Sequence, residues 1–158
     1  MQIVVISDTH GSMKSLEDIY KNQPNADVYI HLGDGYEQVR RMRAKYPLMP
    51  LLAVRGNCDI GESDSDCKFL DLCGRHIMYT HGHRFGVKMG MSMLRHEAQK
   101  QKADIVCFGH THEQLYEEYG GIHFLNPGSA ASYGTEYFAI IDISEDGQIH
   151  VSLNGLPV

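Results

Sequence analysis

The sequence predicts an α/β fold in which two mixed β-sheets pack together between helices, and three observations carry that expectation. Five short apolar runs rich in β-branched residues (VVIS, VYIHLG, LLAVRG, HIMYT and DIVCFG) look like buried parallel strands. The first of them alternate with stretches whose apolar residues recur at helical spacing, the pattern of βαβ units. The second half instead carries paired runs joined by glycine turns, which are hairpins and make the sheets mixed. At 158 residues the chain fits a single domain, 1–158, that buries roughly 70% of its unfolded surface without disulfide or metal staples.

The opening residues MQIVVIS lack a positively charged flank and read as a core strand rather than a signal peptide. After Asp8 and His10, Gly11 opens a helix marked by Met13, Leu16, Ile19 and Tyr20, ended by Pro24 and Asn25. A strand over Asp27 to Leu32 leads through Gly33 and Asp34 into a second helix, with Tyr36, Val39, Met42 or Arg43, and Tyr46 along one side, stopped before Pro47. A third strand, Leu51 to Arg55, ends at Gly56 and Asn57. Residues 58–68 form a polar loop whose acidic groups (Asp59, Glu62, Asp64, Asp66) read as a solvated face. KFLDLCGRHIMYT is a hairpin turning at Cys73 to Arg75, followed by a third helix from about Val87 to Lys102 with Val87, Met91, Leu94 and Ala98 on one face. Met89, Met91 and Met93 in that helix are expected to fill gaps in the core. A strand over Asp104 to Phe108 precedes two further hairpins, turning at Gly120–Gly121 and Asp146–Gly147. Their tyrosines, Tyr116, Tyr119, Tyr133 and Tyr137, read as packing residues, with contact to a second copy of the chain in a homo-oligomer as the lesser reading.

Composition narrows the function. Fourteen Lys and Arg against twenty Asp and Glu give a net charge of -6, which argues against broad binding of nucleic acid or an anionic membrane. No apolar run reaches the roughly 18 residues of a membrane span, and the expected location is the cytoplasm. Four cysteines without CxxC spacing are expected to be reduced thiols rather than a disulfide frame or a thiolate zinc site. Half of the ten histidines fall at 10, 81, 83, 110 and 112; of the others, His31 inside VYIHLGD reads as a satisfied core histidine.

Each of the five strands ends in residues that bind metal: Asp8 and His10, Asp34, Asn57, His81, and His110 and His112. In open α/β sheets ligands bind beyond the carboxyl ends of the strands, so these seven side chains are expected to converge on one edge. Asp8 and His10 are two apart, as are His110 and His112; on extended backbone each pair points one way and serves one cation. Seven donors exceed what one tetrahedral ion uses, whereas two ions about 3.5–4 Å apart that share a carboxylate use them all. Oxygen and imidazole donors without sulfur suit manganese, with iron, nickel and zinc as alternatives. Two such divalent ions keep a net positive charge that attracts a phosphate ester and lower the pKa of bound water to about 7, so no protein nucleophile is required.

The ordered motifs DTH (8–10), GD (33–34), GNCD (56–59), THGH (80–83) and GHTH (109–112) resemble the calcineurin-like metallophosphoesterase superfamily, and NPGS at 126–129 resembles its small bacterial and archaeal phosphodiesterase branch. The resemblance implies a four-layer αββα sandwich. It implies that Asp8, His10 and His112 hold one metal, that Asn57, His81 and His110 hold the other, and that Asp34 bridges. Asn57 and His83 are then the residues expected to meet a small phosphodiester or nucleotide-like substrate, His83 as acid or phosphate ligand. Many relatives have histidine, thought to protonate the leaving group, where this chain has Cys58; a thiol is a weak donor, so poorly activated esters are expected to react slowly. Cys58 itself reads as a space-filling residue beside the site. Two rival functions remain: a phosphomonoesterase such as a nucleotidase or protein phosphatase, and a non-catalytic protein-binding scaffold like one eukaryotic trafficking branch.

Overall fold

In a computed structural model describing residues 1–158, the strands form two five-stranded sheets. The first has the order β10-β9-β1-β2-β3 and the second β4-β5-β6-β8-β7. In the first, β1 (Gln2–Ile6), β2 (Val28–His31) and β3 (Leu51–Ala53) run parallel, and the long hairpin of β9 (Thr135–Ile143) and β10 (Ile149–Pro157) closes antiparallel onto β1. In the second, β5 (Arg75–Thr80), β6 (Ile105–Cys107) and β8 (Ile122–Pro127) run parallel, flanked by β4 (Cys67–Leu72) and β7 (Gln114–Tyr119).

The layering follows from alternation along the strands. On β1, Val4 and Ile6 face α1 (Met13–Asn22) and α2 (Tyr36–Lys45), while Ile3 and Val5 face the other sheet. On β6, Ile105 and Cys107 point inward and Val106 points out to α3 (Ser92–Lys100). Three cores therefore separate four layers, helix, sheet, sheet and helix, as expected. Each fully buried Val, Leu or Ile contributes about 1.5–3 kcal/mol of burial, and the central strands are buried on both faces. His31 is indeed a satisfied core residue: Gly33 N–H donates to its Nδ1 at 3.2 Å, leaving Nε2 to donate to Thr9 Oγ1 at 3.0 Å. Burial holds it neutral, with its pKa lowered to about 4.

The third helix begins five residues later than the periodicity predicts. Gly86 and Gly90 take φ of 61° and 147°, so residues 83–90 form a short 3-10 turn (His83–Phe85) and a loop rather than helix. Val87 is buried all the same, but Met89 and Met93 are exposed and only Met91 packs against the core, contrary to the gap-filling expectation. Tyr133 is likewise fully exposed, whereas Tyr119 lies under the Arg95 guanidinium and Tyr116 stacks on His123. All four cysteines are unpaired thiols. No helix is long and apolar enough to cross a membrane.

Candidate metal centre

All five motif loops leave the carboxyl ends of β1, β2, β3, β5 and β6, and backbone hydrogen bonds tie neighbouring loops together within each sheet. Asp8 N–H donates to Gly33 O at 3.0 Å, His10 N–H to Asp34 O at 2.9 Å, and Gly109 N–H to His81 O at 3.0 Å. The loops are not extended, as the spacing argument assumed. Asp8, His10, Asp34, His110 and His112 have φ of 55°, 42°, 55°, 70° and 63°, which is the left-handed region. Only two other non-glycine residues in the chain, Cys73 and Lys102, have positive φ. Conformations that cost about 1–3 kcal/mol each persist where the surrounding structure enforces them, so their concentration at these loops marks the site independently of residue type.

The side chains form three overlapping groups, each with its donor atoms within 4.8 Å of one another: Asp8, His10 and His112; His10, Asp34 and Cys58; and Asp34, His81 and His110. His10 joins the first to the second, and Asp34 joins the second to the third. In the first group Asp8 Oδ2 accepts from Ser7 Oγ at 2.5 Å and from His110 N–H at 3.1 Å. Its Oδ1 is buried without any hydrogen bond, 3.2 Å from His112 Nε2 and 3.6 Å from His10 Nε2. The two imidazole nitrogens are themselves 3.1 Å apart. An orphaned buried carboxylate oxygen facing two ring nitrogens is poorly provided for by protein alone and well provided for by a divalent cation.

In the third group His81 Nδ1 donates to Leu32 O at 2.7 Å, which turns Nε2 toward Asn57 Oδ1 at 3.0 Å and Asp34 Oδ2 at 3.4 Å. Fixing one ring nitrogen on a carbonyl so that the other is aimed at the ion is the usual support of a metal-ligating histidine. Burial lowers the His81 pKa, but Asp34 and Asp8 outweigh it and the net shift is upward. Burial also works against the Asp34 charge, and His81 with the Cys58 N–H, which donates to Oδ1 at 2.8 Å, overcomes it and holds the carboxyl below its usual range. Burial, then the charges of His81 and Lys88, lower His110 to about 4. Asn57, His81, His110 and Asp34 thus meet as the sequence predicts, and the oxygen and nitrogen donor set fits divalent cations.

His83 lies beside this group rather than in it. Its ring centroid is 5.3 Å from that of His81 and 6.1 Å from that of His110, its Nε2 is 3.7 Å from Asp66, and its Nδ1 is buried without a partner. Burial, with His81 and Arg55 adding to it, lowers its pKa. Cys58 is exposed rather than space-filling, and its thiol is pushed up by a hydrogen bond to Asp34.

The polar loop is not the solvated face expected. Asp59 accepts from the N–H groups of Asp34, Gly35, Tyr36 and Gly56 at 2.7–2.9 Å, so one carboxylate caps α2 and ties the Asp34 loop to the Asn57 loop. Asp66 is buried and pairs with Arg84 at 3.2 Å, and Asp64 binds Tyr36 and Lys68. Sequence reasoning also missed Ser7, Ser129, which donates to Asp8 O at 2.9 Å, and the cations Arg55 and Lys88 whose charges reach His83 and His110. The Ser-Asp and Asn-Cys-Asp neighbours of the ligands were the available signal. A larger cavity of about 510 Å³ lies between Ser12, Lys14 and Tyr133 and contains none of the seven predicted ligands; donor atoms, not volume, locate the site.

Two glycines allow the loops to approach. A Cβ on Gly33, whose φ is 98°, would sit 2.5 Å from Gly56 N, and one on Gly56 would sit 2.0 Å from Asp34 Oδ1. Gly56→Ala is therefore expected to displace Asp34, costing about 1–3 kcal/mol of stability and most of the bound metal. Chemical denaturation and metal analysis of the purified variant check this, and unchanged values for both would contradict the close packing described.

Two stacked sheets with a cluster of carboxylate, amide and imidazole donors at one edge define a metal-dependent hydrolase architecture. Residues 1–146 match the calcineurin-like phosphoesterase superfamily domain, and the chain belongs to that superfamily. It is 34% identical to the probable metallophosphoesterase YsnB of Bacillus subtilis over 151 residues, covering 92% of this chain and 86% of that protein. It is 29% identical to the phosphodiesterase YfcE of Escherichia coli over 168 aligned positions, covering 85% and 86%. A crystal structure of a predicted phosphoesterase from Streptococcus pneumoniae superposes with a TM-score of 0.76 at 25% identity, covering 98% and 97%. These relatives support a metal-dependent phosphoesterase.

Proposed function

We propose that this chain is a phosphodiesterase that works with two divalent cations, manganese foremost, on a small phosphodiester or nucleotide-like substrate. The observation that carries the reading is the chain of three donor groups: the outer two, around Asp8 and around His81, are joined by a middle group that shares His10 with one and Asp34 with the other. Asp8, His10 and His112 would hold one cation, Asn57, His81 and His110 the other, and Asp34 both. When bound, such a pair supplies an activated water and positive charge opposite the phosphoryl oxygens.

The protein's own part is to position and to balance charge. Asp8 and Asp34 neutralise part of the cationic charge, and Leu32 O fixes the His81 ring so that it cannot rotate away. Asn57 offers its Oδ1 to the site while its Nδ2 faces Cys58 Sγ at 3.6 Å. His83, Arg55 and Lys88 add donors and positive charge on the His110 side, where the substrate phosphate would be held. A recess of about 290 Å³ beside His10, Asp34 and Cys58 favours a small substrate.

Metal-loaded protein is expected to hydrolyse an activated phosphodiester faster than the corresponding monoester, with turnover rising on addition of manganese or nickel. A faster monoester reaction would favour the phosphomonoesterase reading. Absence of turnover on both, with metal bound, would overturn the catalytic assignment.

A further inference from the structure

The motif loops promise only oxygen and imidazole donors, but the fold adds a sulfur. Cys58 Sγ, a His10 ring nitrogen and an Asp34 carboxylate oxygen lie within 4.8 Å of one another. Building on the reading of this edge as a metal centre, we propose that Cys58 is a ligand of the cation held by Asp8, His10 and His112, and that it raises the affinity of this position for a thiophilic ion, zinc or ferrous iron, relative to manganese.

Three features converge on this assignment. The buried, hydrogen-bond-free Asp8 Oδ1 is aimed at His10 and His112, so an ion is called for on that side of the site irrespective of the cysteine. His10 belongs both to that group and to the group containing Cys58, so a cation seated on His10 has the thiol among its neighbours. The Cys58 main chain is pinned by its N–H on Asp34 Oδ1, which holds its exposed side chain at the rim of the donor cluster. None of the other cysteines joins a donor group: Cys73 is exposed on a hairpin turn, Cys67 lies on β4, and Cys107 is buried between the sheets.

Ligation replaces the sulfur–hydrogen bond by a sulfur–metal bond and releases the proton to solvent. A zinc–sulfur bond of about 2.3 Å and zinc–nitrogen bonds of about 2.0–2.1 Å suit a cation shared by the Cys58 thiolate and His10, whose donor atoms lie within 4.8 Å of one another. Thiolate donors favour soft or borderline ions, whereas manganese prefers oxygen, which is the basis of the selectivity.

Cobalt(II) loaded into the full chain tests this without relying on turnover. Visible d–d bands report an ion in the site, and a near-ultraviolet sulfur-to-cobalt charge-transfer band reports thiolate ligation. Both are expected in the parent. Cys58→Ser and Cys58→Ala are expected to keep the d–d bands, lose the charge-transfer band, and lower the affinity for zinc relative to manganese by about tenfold or more. Visible bands in the parent without the charge-transfer band, or a charge-transfer band that survives both substitutions, would overturn the sulfur ligand and leave the metal centre standing. Absence of cobalt bands in parent and variants alike would overturn the metal centre itself, and the ligand with it.

Discussion

Asp34→Asn is expected to reduce kcat/KM by about a thousandfold or more, equivalent to ~4 kcal/mol of transition-state stabilisation, while leaving the fold intact. The asparagine carbonyl can still accept the Cys58 N–H that now reaches Asp34 Oδ1, so the loop keeps its anchor. What is lost is the charge of the one carboxylate that belongs to both the His10 group and the His81 group. Metal content should fall from two ions per chain to one or fewer, and the thermal midpoint of the metal-free variant should stay close to that of the metal-free parent. Parent-like turnover with parent-like metal content would remove Asp34 from its bridging role.

The second large effect belongs to a residue outside the ligand set. Asp59→Ala is expected to cost about 2–4 kcal/mol, combining a lost helix cap with backbone donors left without partners. For a chain of this size that lowers Tm by about 4–16 °C. Because the four N–H groups that Asp59 gathers come from both the Asp34 loop and the loop carrying Asn57, metal affinity should fall alongside stability. Asp59→Asn, which keeps one acceptor oxygen, should fall between the two. Thermal melts with and without metal check the pair; a variant melting with the parent would mean that the four hydrogen bonds contribute nothing net.

The difference between these two residues shows what a sequence discloses. Asp34 was legible because it follows a β-branched strand directly, and chain order alone puts the end of a buried parallel strand at a sheet's ligand-binding edge. The same logic found Asp8, Asn57, His81 and His110, and the alternation of the strands gave the layers. Asp59 was not legible, since its partners lie up to 25 residues away and only the parallel pairing of β2 with β3 brings the two loops together. Reading its loop as solvated counted charges and could not count buried amides. The Asp8 and His10 pair was found by an argument that the structure corrects: the side chains converge through left-handed backbone, not through strand alternation. The late start of α3 and the exposure of Met89 and Met93 turn on Gly86 and Gly90, whose conformations the apolar spacing hid.

The central claim is that donors from five loops seat two cations on a shared carboxylate. A crystal soaked in manganese and measured for anomalous scattering tests it most directly. Two peaks about 3.5–4 Å apart, one among Asp8, His10 and His112, the other among Asn57, His81 and His110, with Asp34 between them, are the expected result. A single peak, or none among these side chains at saturating manganese, would contradict it.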